Sequence, residues 1–113
     1  MQHIDPADRW SEATIHNGFI HYVGAPADPH ADAYGQTVSA LEQIEAMLVR
    51  LGSGKDRILE ATVFLNDRSD FEQMNRAWDQ WVVPGKAPVR CTVQAGLMVQ
   101  GYRVEIRIVA AMA

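Results

Sequence analysis

The sequence has one cysteine, Cys91, so no disulfide can close within the chain, and no Cys/His spacing suits a structural zinc site. It has no apolar run long enough to cross a bilayer. Its first residues, Met1-Gln2-His3-Ile4-Asp5-Pro6, show neither the basic nor the apolar region of a secretion signal. Positive charge is not in excess either: 10 Lys and Arg stand against 14 Asp and Glu, a formal net charge of -4. Surfaces that condense on nucleic acid or anionic lipid need clustered cations, so neither nucleic acid nor membrane is an expected partner. Internal repeats, low-complexity tracts and linkers are also missing. What remains is a hydrophobic fraction of 48% against 21% charged, the balance of an ordinary folded domain, in 113 residues with room for one core. Residues 1–113 therefore read as a single domain, soluble and cytoplasmic. So small a domain has little bulk to excavate, which makes a crevice between subunits the expected place for a small ligand.

The patterning predicts the order β-β-α-β-α-β-β. Asn17-Gly18 supplies the positive φ angles of a two-residue type I′ turn, so His16 should pair with Phe19, Ile15 with Ile20 and Ala13 with Tyr22. Ala13, Ile15, Ile20 and Tyr22 then share one apolar side. From Ala33 to Leu51 the period becomes helical, with Tyr34, Val38, Leu41, Ile44, Leu48 and Leu51 on one stripe and Gly52 as the stop. Ile58 to Leu65 alternates, with Leu59, Ala61, Val63 and Leu65 on one face. Ser69 and Glu72 have the spacing of a capping box for a second helix carrying Phe71, Met74, Trp78, Trp81 and Val82 on one side, ended by Pro84-Gly85. Two strands close the chain, 89–95 and 103–108. Two amphipathic helices can cover only one face of such a sheet, so an α+β layer structure is expected.

If the last two strands pair antiparallel, Arg90, Thr92 and Gln94 share the polar sheet face with Arg103, Glu105 and Arg107. In one register Thr92 opposes Glu105, and Arg90 lies diagonally about 7–8 Å away. Two readings stay open for this face. Arg90 suits a bidentate clamp on a substrate carboxylate, with Glu105 orienting or activating a water. Cross-strand ion pairs on a solvated face would use the same residues. Asn75 lies inside the apolar stripe of the second helix and either bonds a nearby loop backbone or edges a pocket. Cys91 falls among apolar positions and reads as a buried, inert thiol. His3, His16, His21 and His30 lack metal-ligand spacing; His16 and His21 read as surface or interface residues. Trp10, Trp78 and Trp81 read as core or contact residues. Gly52-Ser53-Gly54-Lys55 lacks the spacing of a phosphate loop. No cofactor or metal is suggested.

Ala87-Pro88-Val89-Arg90-Cys91-Thr92-Val93, with Glu105 fifteen residues after Arg90 in Val104-Glu105-Ile106, resembles the C-terminal signature of the Rid (reactive intermediate, or enamine/imine, deaminase) family. Ala61-Thr62-Val63-Phe64-Leu65, Asp70-Phe71 through Asn75, and Val23-Gly24-Ala25-Pro26 are similar to that family's central strand, second helix and glycine turn. The resemblance covers almost the whole chain in order. It implies a chorismate-mutase-like α+β fold, a mixed sheet covered on one face by two helices, assembled as a homotrimer with pockets between subunits. By the same resemblance, Arg90 grips the substrate carboxylate and Glu105 positions the hydrolytic water. Asn75, Gly24, Trp10 and Thr92 would line the pocket. The implied reaction is hydrolysis of imines and enamines such as 2-aminoacrylate to a 2-keto acid and ammonia. The founding deaminases have a tyrosine where Trp10 stands and a cysteine where Thr92 stands; the tip Gly96-Leu97-Met98 replaces their leucine-proline pair. Trp10 narrows the pocket and lacks a phenolic hydroxyl, so substrate range and rate are where this chain should differ. The alternatives are a non-catalytic trimer binding small carboxylates such as keto acids, and a ribonuclease, which the net acidic charge disfavours.

Overall fold

In the computed structural model, which describes residues 1–113, the chain opens with a strand that its hydropathy pattern does not announce, β1 (Gln2–Pro6). Only Ile4 on it is half-buried, so no alternation betrays it; backbone pairing with the next strand holds it at the sheet edge. The hairpin that follows, β2 (Ser11–His16) and β3 (Phe19–Gly24), has the register its turn chemistry demands. Asn17 and Gly18 take φ of 51° and 82°, and Ala13 faces Tyr22, Ile15 faces Ile20 and His16 faces Phe19.

Helix α1 (Ala33–Arg50) begins where the Asp32 carboxylate accepts from the Gly35 amide at 2.8 Å. Leu41, Ile44 and Leu48 are buried as the stripe predicts, each contributing about 1.5–3 kcal/mol relative to exposure. Nearer the N-terminus the buried face turns away from Tyr34 and Val38 to Ala33, Gln36, Thr37 and Ala40. At Ala40 the cause is close approach to β3, since a Cβ on Gly24 would lie 2.6 Å from Ile44 Cγ1 and 2.8 Å from the Ala40 carbonyl oxygen; Gln36 is buried because its amide bonds the loop at Gly101 and Arg103.

Strand β4 (Ile58–Leu65) carries a bulge between Ile58 and Glu60 that shifts the alternation there. Ile58 is consequently buried and Leu59 exposed, the reverse of the expected order, while Ala61, Val63 and Leu65 face the core as predicted. Before α2 (Phe71–Trp81) the expected Ser69–Glu72 capping box does not form. A 3-10 turn at Arg68–Asp70 intervenes, and Asp67 accepts from the Ser69 amide at 2.8 Å instead. On α2, Met74, Ala77 and Trp78 are buried, and Phe71 at its start is exposed.

Strands β5 (Val89–Gln94) and β6 (Val104–Ala111) complete a six-stranded mixed sheet in the order β1-β2-β3-β6-β4-β5. Both helices lie on one face of it, so the expected α+β layering holds, with one more strand than predicted. The expected pairing of the last two strands does not occur. β6 inserts between β3 and β4, antiparallel to both, and β5 pairs parallel with β4 at the outer edge. The physical reason is the connection: β4, α2 and β5 form a β-α-β unit, whose crossover helix returns the chain parallel to its starting strand. No helix is long and apolar enough to cross a membrane.

Candidate functional site

The edge position of β5 decides where its side chains go. Arg90 lies across from Ala61, Thr92 from Val63 and Gln94 from Leu65, and those three β4 residues point under the helices. Partners in register share a face, so Arg90, Thr92 and Gln94 emerge on the helical side. Glu105 lies across from Phe64 and Arg107 from Thr62, which places both on the uncovered side. The polar face on which Arg90 and Glu105 were expected to meet therefore does not exist within one chain. Cys91 is displaced with them: the Val89-Cys91-Val93 side of β5 points away from the helices, and Cys91 is exposed, not buried, with its Sγ 3.7 Å from Thr62 Oγ1.

On the helical side, α2 holds Arg90 from beneath. Its guanidinium lies over the Trp78 ring, 5.1 Å from the centroid, and Nη1 donates weakly to Met74 Sδ at 3.7 Å. No carboxylate of the chain forms an ion pair with it; the four salt bridges all involve other residues. Partial burial pushes the Arg90 guanidinium below its ordinary value, and the charge of Asp79 pulls it partly back. It remains a cation with donors to spare, short of water and of a protein anion. Thr92 is half-buried beside it. Asn75 follows Met74 on α2 and is half-buried rather than enclosed in the apolar stripe, so its amide stays open to a ligand or solvent.

A second group forms on the uncovered side. A crevice of about 730 Å³ has Trp10, Glu12, His21, Tyr102, Glu105 and Arg107 among its lining residues, with Val23 and Ala25 also contributing. Trp10 is 65% exposed, so it is a wall and not a core residue. Gly24 is buried between Val23 and Ala25; its smallness is explained by the approach of α1, and its neighbours line the crevice. Glu12 and Tyr102 were not singled out by sequence, and His21 was named only as a surface or interface residue. The row Glu105/Arg107 was legible as charged alternation, but only the β3–β6 pairing reveals that Trp10 and Glu12 lie near it.

One buried amide ties these parts together. Gln36 is fully buried on α1; its Nε2 donates to the carbonyl oxygens of Gly101 at 2.9 Å and Ala31 at 3.1 Å, while its Oε1 accepts from the Arg103 amide at 2.7 Å. The loop that delivers Tyr102 and Glu105 is thereby pinned to the start of α1. Asp70, also buried, anchors the same loop through Arg103 Nη1 at 3.0 Å. A polar residue within one turn of the apolar stripe was the only sequence signal for Gln36. The histidines do not gather: no three His, Cys, Asp or Glu side chains are grouped to hold a metal ion.

A mixed sheet with a one-sided helical layer, an unpaired guanidinium and an acidic crevice define a small-molecule-binding α+β domain of a kind that is typically oligomeric. The chain belongs to the Rid/YjgF family: the family described as Endoribonuclease L-PSP matches residues 1–112. It is 57% identical over 109 residues to the RutC family protein YoaB of Escherichia coli strain K12, with 96% of each chain covered. Its structure is similar to that of NMB1025, a member of the YjgF protein family from Neisseria meningitidis, with 36% identity and a TM-score of 0.94 over 99% of this chain and 94% of that one. It is also similar to YyfA of the conserved Rid protein family from Yersinia pestis, with 27% identity and a TM-score of 0.86 over 95% and 90% of the two chains.

Proposed function

We propose that this protein is a hydrolytic deaminase of reactive enamine and imine intermediates derived from amino acids, 2-aminoacrylate among them, working as a homotrimer with each site shared by two subunits. The observation that carries the reading is the Arg90 guanidinium, held over the Trp78 ring, partly dehydrated and without a carboxylate of its own. A planar two-oxygen anion fits its donor fork, and part of the dehydration cost is met before the ligand arrives. Sharing between subunits is supported by two features. Arg90 and Glu105 stand on opposite sides of one sheet, and the uncovered side exposes Phe19, Val23, Val89 and Val93, apolar residues that a second subunit would bury.

In this reading Arg90 holds the substrate carboxylate, with Asn75 and Thr92 beside it, and a neighbouring subunit presents Glu105 together with its Trp10 wall and Gly24 turn. The enamine first tautomerises to the imine by protonation at its terminal carbon. Glu105 orients a water; its oxygen bonds the imine carbon, and the proton it sheds passes to nitrogen. Collapse of the resulting carbinolamine breaks the C–N bond, releases ammonia and leaves the 2-keto acid. The imine carbon is already electrophilic, so holding the carboxylate and aiming the water are sufficient tasks for the protein.

The test generates 2-aminoacrylate in situ and follows ammonia and pyruvate with wild type, Arg90→Ala and Glu105→Ala. Release faster than in buffer, lost in both variants, supports the deaminase. Release no faster than in buffer, with keto-acid binding that Arg90→Ala abolishes, replaces it by a non-catalytic binder of small carboxylates. A monomeric mass by light scattering contradicts the shared site in either case.

A further inference from the structure

A second cavity, of about 370 Å³, opens beside the strand that carries Arg90, and the deamination step makes no use of it. Its walls are Leu65, Arg68, Phe71, Thr92 and Gln94. Thr92 and Gln94 follow Arg90 at two-residue intervals on one face of β5, each about 7 Å further along the strand. Thr92 therefore belongs both to the surroundings of Arg90 and to this cavity. Arg68 closes the cavity from the 3-10 turn before α2. Neither flanking aspartate pairs with it: Asp67 accepts from the Ser69 amide, and Asp70 is paired with Arg103. Arg68 itself forms no ion pair. Phe71, 43% exposed, supplies an apolar wall next to it.

A hydroxyl, a carboxamide and an unpaired guanidinium around one apolar wall suit a short aliphatic chain that ends in an anion. We propose that this cavity receives the side chain of the imino acid whose carboxylate Arg90 holds, and that Arg68 selects substrates bearing a second, distal carboxylate, with Gln94 as its hydrogen-bonding partner. The assignment rests on Arg90 as the carboxylate clamp. Within that reading it makes imines of dicarboxylic amino acids preferred over those with small apolar side chains, 2-aminoacrylate included, and it makes Arg68 a specificity-determining residue.

Titration calorimetry on the intact oligomer tests this with two keto-acid probes, 2-oxoglutarate and 2-oxobutyrate, which share the first carboxylate and differ in the second. Wild type should bind 2-oxoglutarate about tenfold or more tightly than 2-oxobutyrate, the effect of one added charge-assisted pair. Arg68→Ala should bring the ratio of the two dissociation constants close to one, and Arg68→Lys should restore part of it. Equal binding of the two probes by wild type, or a preference that survives Arg68→Ala, overturns the assignment of the cavity while leaving the clamp intact. Binding of both probes unchanged by Arg90→Ala overturns the clamp, and this inference with it. Arg68 is exposed on a turn, so its variants keep the fold, and a thermal melt matching wild type verifies that.

Discussion

Arg90 and Glu105 leave the same sheet on opposite sides: Arg90 lies across from Ala61, buried under the helices, and Glu105 lies across from Phe64 on the uncovered face. With β4 between them, one chain cannot direct both at a single small molecule. In the proposed trimer the two groups would form one site where the β5 edge of one subunit meets the uncovered face of another. The inverted pattern of β5, polar toward the helices and apolar outward, fits the same proposal, since Val89 and Val93 are exposed in the single chain and a second subunit would bury them.

Replacing the clamp with a cation of different shape separates charge from geometry. Arg90→Lys keeps the charge and loses both the donor fork and the guanidinium's placement over the Trp78 ring. Steady-state kinetics should show KM raised by about tenfold or more while kcat falls less, because carboxylate binding is lost first. Wild-type KM in this variant would remove Arg90 from substrate binding.

Gly24 is required by packing. A methyl group there would press on Ile44 Cγ1 at 2.6 Å and on the Ala40 backbone oxygen at 2.8 Å, and the second of these cannot move without shifting α1. Gly24→Ala should lower stability by about 1–3 kcal/mol in urea denaturation. An unchanged midpoint would mean that α1 does not pack this closely on β3.

The amide of Gln36 bridges two loops, so an isosteric apolar side chain should be costly. Gln36→Leu strands the Arg103 N–H and the Gly101 carbonyl without partners, at about 1–3 kcal/mol for each group left buried and unpaired. Hydrogen exchange should show faster exchange of the Arg103 amide, with the hairpin amides of β2 and β3 unaffected. Protection of Arg103 equal to wild type would contradict the role assigned to Gln36.

The hairpin was legible to the residue, because Asn17-Gly18 dictates both turn type and register. The helices were legible as elements, although the start of α1 buries Gln36 against the Gly101–Arg103 loop and Ala40 against Gly24, contacts that periodicity does not reveal. The sheet order was not legible from alternation. β5 and β6 each alternate cleanly, and alternation says which residues share a face of one strand but nothing of which strand lies next to it. The connection held the missing information: a strand, a helix and a strand favour a parallel neighbour, which assigns β5 to β4. β1 escaped because an exposed edge strand has no apolar period to read. As to the site, its members were named from the family resemblance and their separation was hidden, since no strand-by-strand reading could place Arg90 and Glu105 on opposite faces.

The shared site is the central claim, and subunit mixing tests it most directly. Arg90→Ala and Glu105→Ala, each inactive alone, are co-expressed in equal amounts so that they assemble together, and turnover of in situ 2-aminoacrylate is measured. If each site draws Arg90 from one subunit and Glu105 from its neighbour, random assortment leaves about one site in four with both residues, and activity should return to about a quarter of wild type. Mixed assemblies no more active than either parent would contradict a site completed between subunits.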